Sequence, residues 1–515
     1  MKTIMIALNG DPVEALYQLG MKEKSAFLLL ESRVKKLLST NHLLSYGHDL
    51  LSRAKLLLKK REGSLFDRCI ASYSEGLGID PARYYSFLAL FELAAHYGQS
   101  YPALKGFLPG CTSVFIKKDD NISHARLLDF PLVGIFDQSP RVYYWQVPGK
   151  GPLLTYSCEG LAPVFFQGIH SAGISFAVHH KPGQGHHQEG QSIFQLIFES
   201  LFEANNFSDL KKELKKKVSM TKWSILLLDK TGQVLSMDID GPAQNTESFD
   251  LNESSPLIFT NIPIQKETNG PDSFLKFSES RQRWLKDRLA HLKNVHLLDM
   301  MTNIEDQSTK GWTHPAATLS TVGAWEVNLS KGHVDVKEGD SALTASDAII
   351  RINLGAQNEL SLLKKSTPSK PFEKAWKRAA KAQSAFDQGD YDVAYHELQM
   401  AQGLVTHPVW KEILSFYLFL WDFKFVSNSK ELSQIYKKVK LLHVPDILKD
   451  QWVLLVMRME KRLDLSPTVT YQDVSAGLQE LFRQEKMASK PVFATWMKLL
   501  YPRMEILDVF SPHQK

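Results

Sequence analysis

From residue 111 to about 365 the chain alternates short apolar, β-branched runs with clusters of Gly, Pro, Asn and Asp. That rhythm predicts strands over 112–117, 122–128, 141–147, 153–158, 164–169, 173–179, 223–229, 234–239, 257–260, 318–328 and 333–337. Two helical stretches interrupt them. Ser192 to Ala204 carries Ile193, Leu196, Ile197 and Leu201 at helical spacing, and Ser278 to Leu292 is the second. Strands in blocks with helices in blocks predict a layered α+β fold rather than alternating βαβ units.

The flanks have other periods. Met1 to Gly10 reads as a first β-strand, and Lys22 to Leu38 as an amphipathic helix. Residues 64–98 hold charged and apolar positions at helical spacing, broken at Gly76-Leu77-Gly78-Ile79-Asp80-Pro81. Asp80 before Pro81 suits an N-cap and first helical position. The helix it launches, Ala82 to Tyr97, can bury Tyr85, Leu88, Leu90, Phe91 and Ala94. A Ser-Thr-Pro-Ser-Lys-Pro stretch at 366–371 reads as a linker. Beyond it the pattern is helical. Ala382, Phe386, Gly389, Tyr391, Ala394, Leu398 and Ala401 follow the spacing of one tetratricopeptide (TPR-like) helix pair. The expected division is 1–110 as a pro-segment or α-subunit packing on the core, 111–365 as a catalytic core, and 366–515 as a helical domain.

Composition narrows the classes. Over 515 residues, 23% are charged and 43% hydrophobic, ordinary for a globular protein of roughly two to four domains. The net charge of +5 comes without a basic stripe interleaved with aromatics, so nucleic acid is not expected as a partner. The dense run Lys211-Lys212-Glu213-Leu214-Lys215-Lys216-Lys217 reads as a solvated helix face. Three cysteines, Cys69, Cys111 and Cys158, argue against a disulfide framework and for a reducing compartment or a free thiol. No apolar stretch reaches the roughly 18 residues of a membrane span. The short apolar start lacks the features of a signal peptide, which makes a cytoplasmic location the expectation.

The candidate chemistry centres on Gly110-Cys111-Thr112-Ser113, where a turn at Leu108-Pro109-Gly110 delivers a cysteine into the run Val114-Phe115-Ile116. An N-terminal cysteine carries its own base. A free α-amine has a pKa of roughly 8, so much of it can take the thiol proton near neutrality. That arrangement requires the Gly110–Cys111 bond to be cut, and Gly110 leaves room for thiol attack on it. Arg126 would supply a permanent positive charge beside the thiolate or the substrate carbonyl. Asp129 would bind the new α-ammonium. In a regular strand these two residues face opposite ways, and a bulge or a strand end is needed to bring both into one pocket. Asn261, ending a strand, can donate to the oxyanion, a role worth roughly 3 kcal/mol. Arg281, in preference to Arg283, is the candidate arginine of the helix opened by Ser278.

Other features read more plainly. Cys69 and Cys158 have no such company and read as packing. The histidine-rich stretch His179 to Glu189 shows no tetrahedral ligand spacing and reads as a mobile rim of the site rather than a metal centre. Tyr143, Tyr144, Trp145, Phe165 and Phe166 are candidates to line an acyl pocket, although strand alternation makes half of them core. No cofactor is expected.

The ordered set resembles the penicillin-acyltransferase-like family of N-terminal-nucleophile hydrolases (the C45 peptidase type), whose broader relatives include acid ceramidase, N-acylethanolamine amidase and the choloylglycine hydrolases. The resemblance runs over about residues 5–345. Gly10-Asp11-Pro12 with Gly20 looks like the family's opening strand and turn. Glu75 to Asp80 and Glu92-Leu93-Ala94 look like its pre-nucleophile helices. Gly110-Cys111-Thr112-Ser113 matches the cleavage site, and Arg126, Asp129 and Phe130 match its Arg-x-x-Asp-aromatic strand. Gly168 to Ile174 matches a turn in which His170 replaces the common Asn. Thr260-Asn261 matches the oxyanion turn, with Ile262 in place of the usual His. Ser278 to Leu285 matches the arginine helix, and Thr318 to Val336 the closing hairpin. The resemblance implies a four-layer αββα sandwich, autocatalytic cleavage, and hydrolysis or transfer of an acyl group from a linear, for instance fatty-acyl, amide. The alternative from another class is a catalytically idle scaffold of this fold that binds a protein partner through its C-terminal helices.

Overall fold

The computed structural model describes residues 4–40, 63–100, 110–130, 134, 137, 139–181, 187, 189–264, 272–291, 296–304, 316–340, 342–354, 360–406, 408–444, 448–474 and 479–488. The expected turn at Leu108-Pro109 and most of the histidine-rich stretch lie outside them. The chain opens with β1 (Ile4–Asn9), α1 (Pro12–Thr40), α2 (Leu65–Leu77) and α3 (Pro81–Ser100). Then come β2 (Gly110–Lys118), β3 (Asn121–Asp129), β4 (Pro140–Gln146), β5 (Leu153–Cys158), β6 (Gln167–His170) and β7 (Ile174–His180). Helices α4 (Ile193–Glu203) and α5 (Phe207–Lys216) precede β8 (Trp223–Asp229), β9 (Gln233–Asp240), β10 (Ala243–Asp250) and β11 (Leu257–Phe259). Next are α6 (Asp272–Leu289), α7 (Leu297–Met301), β12 (Thr321–Asn328), β13 (His333–Glu338), β14 (Ala348–Asn353) and β15 (Leu360–Lys364).

Every longer element described after that is helical: α8 (Pro371–Asp387), α9 (Tyr391–Leu404), α10 (Pro408–Phe425), α11 (Ser429–Val439), α12 (Lys449–Arg462) and α13 (Gln479–Met487). Gly389 makes the turn between α8 and α9, and Ala382, Phe386, Ala394, Leu398 and Ala401 are buried where the pair packs. No helix among the described residues is long and apolar enough to cross a membrane.

The strands form two sheets, ordered β1-β4-β5-β6-β7-β8-β9-β10 and β11-β2-β3-β12-β13-β14-β15. Neighbours are antiparallel except β1 with β4. The sheets face each other. Ser113 of β2 bonds His179 of β7 at 2.9 Å, and His124 of β3 bonds Ser175 of β7 at 2.8 Å. At one end of the interface the filling is apolar, with Phe115 and Ile122 against Leu226, Leu228 and Val234. Helices cover the outer faces. Phe198 of α4 packs on Phe165 and Trp145, and Phe194 on Trp223. Full burial of side chains of this kind contributes roughly 1.5–3 kcal/mol each. The α6 and α7 helices lie against β11, β3 and β12 of the second sheet.

Several boundaries differ from the expected ones for local reasons. Asp11 accepts from Val13 N at 3.0 Å, so α1 starts at Pro12 rather than near Lys22. It crosses α2 closely: a Cβ on Gly20 would meet Tyr73 O at 2.4 Å, and one on Gly76 would meet Tyr17 O at 2.2 Å. Asp80 caps α3 by accepting from Ala82 N at 2.7 Å. On α3, Leu88 is buried and Tyr85 half-buried, while the side chains of Leu90, Phe91 and Ala94 lie outside the described set. The strand expected at 318–328 begins at Thr321, because Thr321 N turns back onto Thr318 O at 3.1 Å. The basic run lies on α5, which buries Leu210 and Leu214 and exposes Lys212, Lys215 and Lys216.

Candidate active site

The β2–β3 hairpin builds the site. Asp119, in the left-handed region at φ 53°, closes its two-residue turn, and Lys118 pairs with Asn121. The register sets Cys111 opposite Leu128, Ser113 opposite Arg126, and Gly110 opposite Asp129. Opposed residues share a face. Cys111, Ser113 and Arg126 therefore point toward the first sheet, while Gly110, Thr112 and Asp129 point toward α6. Arg126 and Asp129 do face opposite ways, and the Cys111 main chain runs between them.

On the first-sheet side, Cys111 is 1% exposed. Arg126 Nη2 lies 3.0 Å from its Sγ and 2.6 Å from Val178 O. Arg126 Nη1 donates to Phe166 O and reaches Gln167 Oε1 at 3.4 Å. No carboxylate bonds this guanidinium among the described residues; its acceptors are carbonyls and sulfur. On the other side, Arg281 Nη1 reaches Thr112 Oγ1 at 2.8 Å, Asp129 Oδ2 at 3.0 Å and Cys111 O at 3.4 Å. Thr321, at an irregularity in β12, donates to Asp129 Oδ1 at 2.6 Å. Burial pushes the Asp129 carboxyl above its ordinary range, and the Arg281 charge pulls against it. A Cβ on Gly110 would come within 3.0 Å of Asp129 Oδ2, so glycine there keeps that carboxylate in place.

Asn261 follows β11 and completes the ring. Its Oδ1 accepts from Cys111 N at 3.0 Å and from Arg281 Nη2 at 2.8 Å, and its Nδ2 donates to His180 O at 2.8 Å. This differs from the oxyanion-donor role expected of it. Two donors, a backbone N–H and a guanidinium, face the amide, so its oxygen turns toward them. Asp129 likewise differs from expectation: it bonds Arg281 and Thr321, and Asn261 takes the Cys111 nitrogen. The other four expected residues nevertheless gather around the buried Cys111.

Sequence reasoning missed the polar chain beneath them. His124 Nε2 lies 3.1 Å from Ser113 Oγ, which lies 2.9 Å from His179 Nε2. His179 Nδ1 reaches Thr260 O at 3.4 Å. Burial, helped by the Arg126 charge, pushes His124 down to about 3 and holds His179 well below the imidazole range. With both rings neutral, Thr260 O requires a proton on His179 Nδ1, and the rest follows. Ser175 donates to His124, His124 to Ser113, Ser113 to His179, and His179 to Thr260. Lys181 adds to the same turn: its Nζ donates to Thr260 O at 2.9 Å and Ile262 O at 2.5 Å. Burial pushes its ammonium down to about 8. Three consecutive residues, His179 to Lys181, thus grip Thr260-Asn261-Ile262.

The other candidates fall elsewhere. His170 is on β6, its Nδ1 accepting from Ala172 N at 3.2 Å. Trp145 and Phe165 pack against α4, and Tyr143 hydrogen-bonds Glu23 at 2.9 Å, so these aromatics serve the helix-covered face rather than an acyl pocket. Cys69 and Cys158 are buried, and burial pushes both thiols up, Cys69 to about 12. His296, Glu326 and Asp335 bring ligand atoms together on the outer face of the second sheet. Arg351 holds both Asp335 oxygens there at 2.8 Å, which makes the group a closed ion network.

No family model and no curated protein matches this chain. Among solved structures it is similar to penicillin V acylase from Agrobacterium tumefaciens, at 13% identity and a TM-score of 0.27 over 50% of this chain and 98% of that one. It is also similar to two variants of conjugated bile acid hydrolase from Clostridium perfringens. Their identities are 12% and 13%, both with a TM-score of 0.29 over 50% of this chain and 97% and 99% of theirs. Likenesses at these scores assign neither a fold nor an activity.

Proposed function

We propose that this chain is a self-processing cysteine amidase that hydrolyses or transfers an acyl group from a linear amide through a Cys111 thioester. The observation that carries the reading is the provision made for one buried cysteine. An arginine nitrogen lies 3.0 Å from its sulfur, and a carboxamide oxygen lies 3.0 Å from its nitrogen. A cysteine that only packs needs neither. The facing sheets between helices, and the motif order from Gly110 to Arg281, support an N-terminal-nucleophile sandwich. In it, residues 1–110 form the α-subunit, 111–365 the core and 366–515 an appended TPR-like domain.

In self-processing, the Cys111 thiol adds to the Gly110 carbonyl and the Gly110–Cys111 C–N bond breaks. The Cys111 nitrogen becomes a free amine, and Gly110 is left as a thioester on Sγ. Water hydrolyses the thioester, leaving a carboxylate on Gly110 and a free thiol. In the catalytic cycle the α-amine, held by Asn261 Oδ1, takes the thiol proton as sulfur attacks the substrate carbonyl. The amine passes that proton to the leaving nitrogen. Water, or another amine for transfer, then attacks the thioester. The α-amine takes the incoming proton and returns it to sulfur. Arg126 places positive charge where sulfur and oxyanion become negative. Arg281 fixes the Cys111–Thr112 main chain, and Asp129 and Thr321 position Arg281.

Denaturing electrophoresis tests the first step. Cleavage before Cys111 divides the 58.4 kDa, 515-residue chain into pieces of about 12 and 46 kDa, and the Cys111→Ala variant stays whole. A wild type that remains one band, like the variant, overturns self-processing. A panel of acyl amides of increasing chain length tests the second step. Wild-type protein that turns over none of them, whether cleaved or whole, overturns the amidase reading.

A further inference from the structure

The C-terminal helices hold an open-sided cavity of about 600 Å³, bounded by the end of α8 and by faces of α9, α10 and α11. That volume is within the roughly 300–1,000 Å³ of small-molecule sites. Its walls are aromatic. Phe386 and Trp421, stacked with ring centroids 4.6 Å apart, are buried and form its floor, while Tyr391 packs on the exposed Phe425 at the same separation. Phe425, 49% exposed, stands at its open side. The charge of the lining is one-sided: Asp392, Asp422 and Glu431 stand against Lys438 alone.

Asp422 decides the ligand class. It is half-buried between the aromatic walls and accepts a hydrogen bond from Tyr395; burial pushes its carboxyl up, and the Tyr395 hydrogen bond and the Lys438 charge pull against that. A negative charge in such a place favours a cationic ligand that brings its own apolar surface. An anion is repelled. A bare metal ion finds no cluster of donors here, because the one convergent His/Asp/Glu group among the described residues lies on the second sheet. The geometry points to this cavity as a binding site for a small organic cation, an alkylammonium group seated on the aromatic walls against Asp422. The site is separate from Cys111 and does not depend on the amidase reading.

Calorimetric titration of the full chain with choline, and with its uncharged carbon isostere dimethylbutanol, tests the assignment. Choline binds, and the isostere binds about tenfold more weakly or less, the ratio expected when a cation–π contact of ~1–2 kcal/mol is lost. Asp422→Asn weakens choline by a similar factor. So does Phe425→Ala, a half-exposed position whose truncation spares the fold. Cys111→Ala binds choline as the wild type does. Equal affinity for choline and its isostere, no binding of either, or choline binding untouched by both cavity substitutions overturns the proposal. Binding of a lysine-rich peptide without binding of choline also overturns it, and reassigns the cavity to a protein partner.

Discussion

One guanidinium serves four acceptors at Arg126: the Phe166 and Val178 carbonyls, the Gln167 side chain and the Cys111 sulfur. A lysine has the charge but not the planar fork that spans these directions. Arg126→Lys is therefore expected to lower kcat on the preferred acyl amide by about 10- to 100-fold, the loss of one charged hydrogen bond worth ~1.5–3 kcal/mol, with unchanged circular dichroism. An unimpaired Arg126→Lys enzyme would contradict the role. The imidazoles give a second residue-level test. His124 titrates in the folded state at about 3, below its ordinary 6.5. Its contribution to stability is present above 6.5 and is lost as pH falls through 3. Nitrogen shifts of the His124 ring should stay those of a neutral imidazole at pH 5; a protonated ring there would refute the ordered chain. Cys111, Arg126, Asp129, Asn261 and Arg281 were legible in the sequence because motif order survives without coordinates. His124, His179 and Thr321 were not. Their partners lie 11 to 192 positions away and read, one strand at a time, as ordinary core.

At the level of elements, the end of β7 reaches across to the turn after β11. Lys181 holds the carbonyls on both sides of Asn261, and His180 O holds its amide. Lys181→Met should lower kcat about tenfold or more while KM stays within twofold, by losing charge-assisted bonds that orient Asn261. Lys181→Arg should recover part of the loss. A change confined to KM would place Lys181 at the substrate instead. Sequence periodicity located most strands of both sheets but missed β10, β14 and β15. β10 is an edge strand of mostly polar residues with no apolar run, and β15 is an edge strand of only 5 residues whose Leu360, Leu362 and Leu363 are exposed and keep no strict alternation. β14 is short, 6 residues, and its buried Ile349, Ile350 and Ile352 do not alternate with exposed positions.

At the scale of the molecule, residues before Cys111 are built into the same body as those after it. β1 supplies an edge to the first sheet through β4. Glu23 of α1 accepts from Tyr143 and from Gly160 N at 2.9 and 3.0 Å. Glu92 of α3 accepts from Ile193 N at 2.7 Å, from Trp223 at 3.0 Å, and from Thr221. Separating the pieces would strand those donors in an apolar interior. The two proposed fragments should therefore elute together on native gel filtration and part only in denaturant; spontaneous separation would show that the first is a disposable leader. The Cys111 site also reaches far along the chain: its contacts with Asn261 and Arg281 span 150 and 170 positions. At roughly 5–20 residues per second, the ribosome delivers those groups about 10–30 s after the cysteine. The nascent cysteine thus has no equipped surroundings until translation is well past it, which sets a built-in delay between synthesis and any cut.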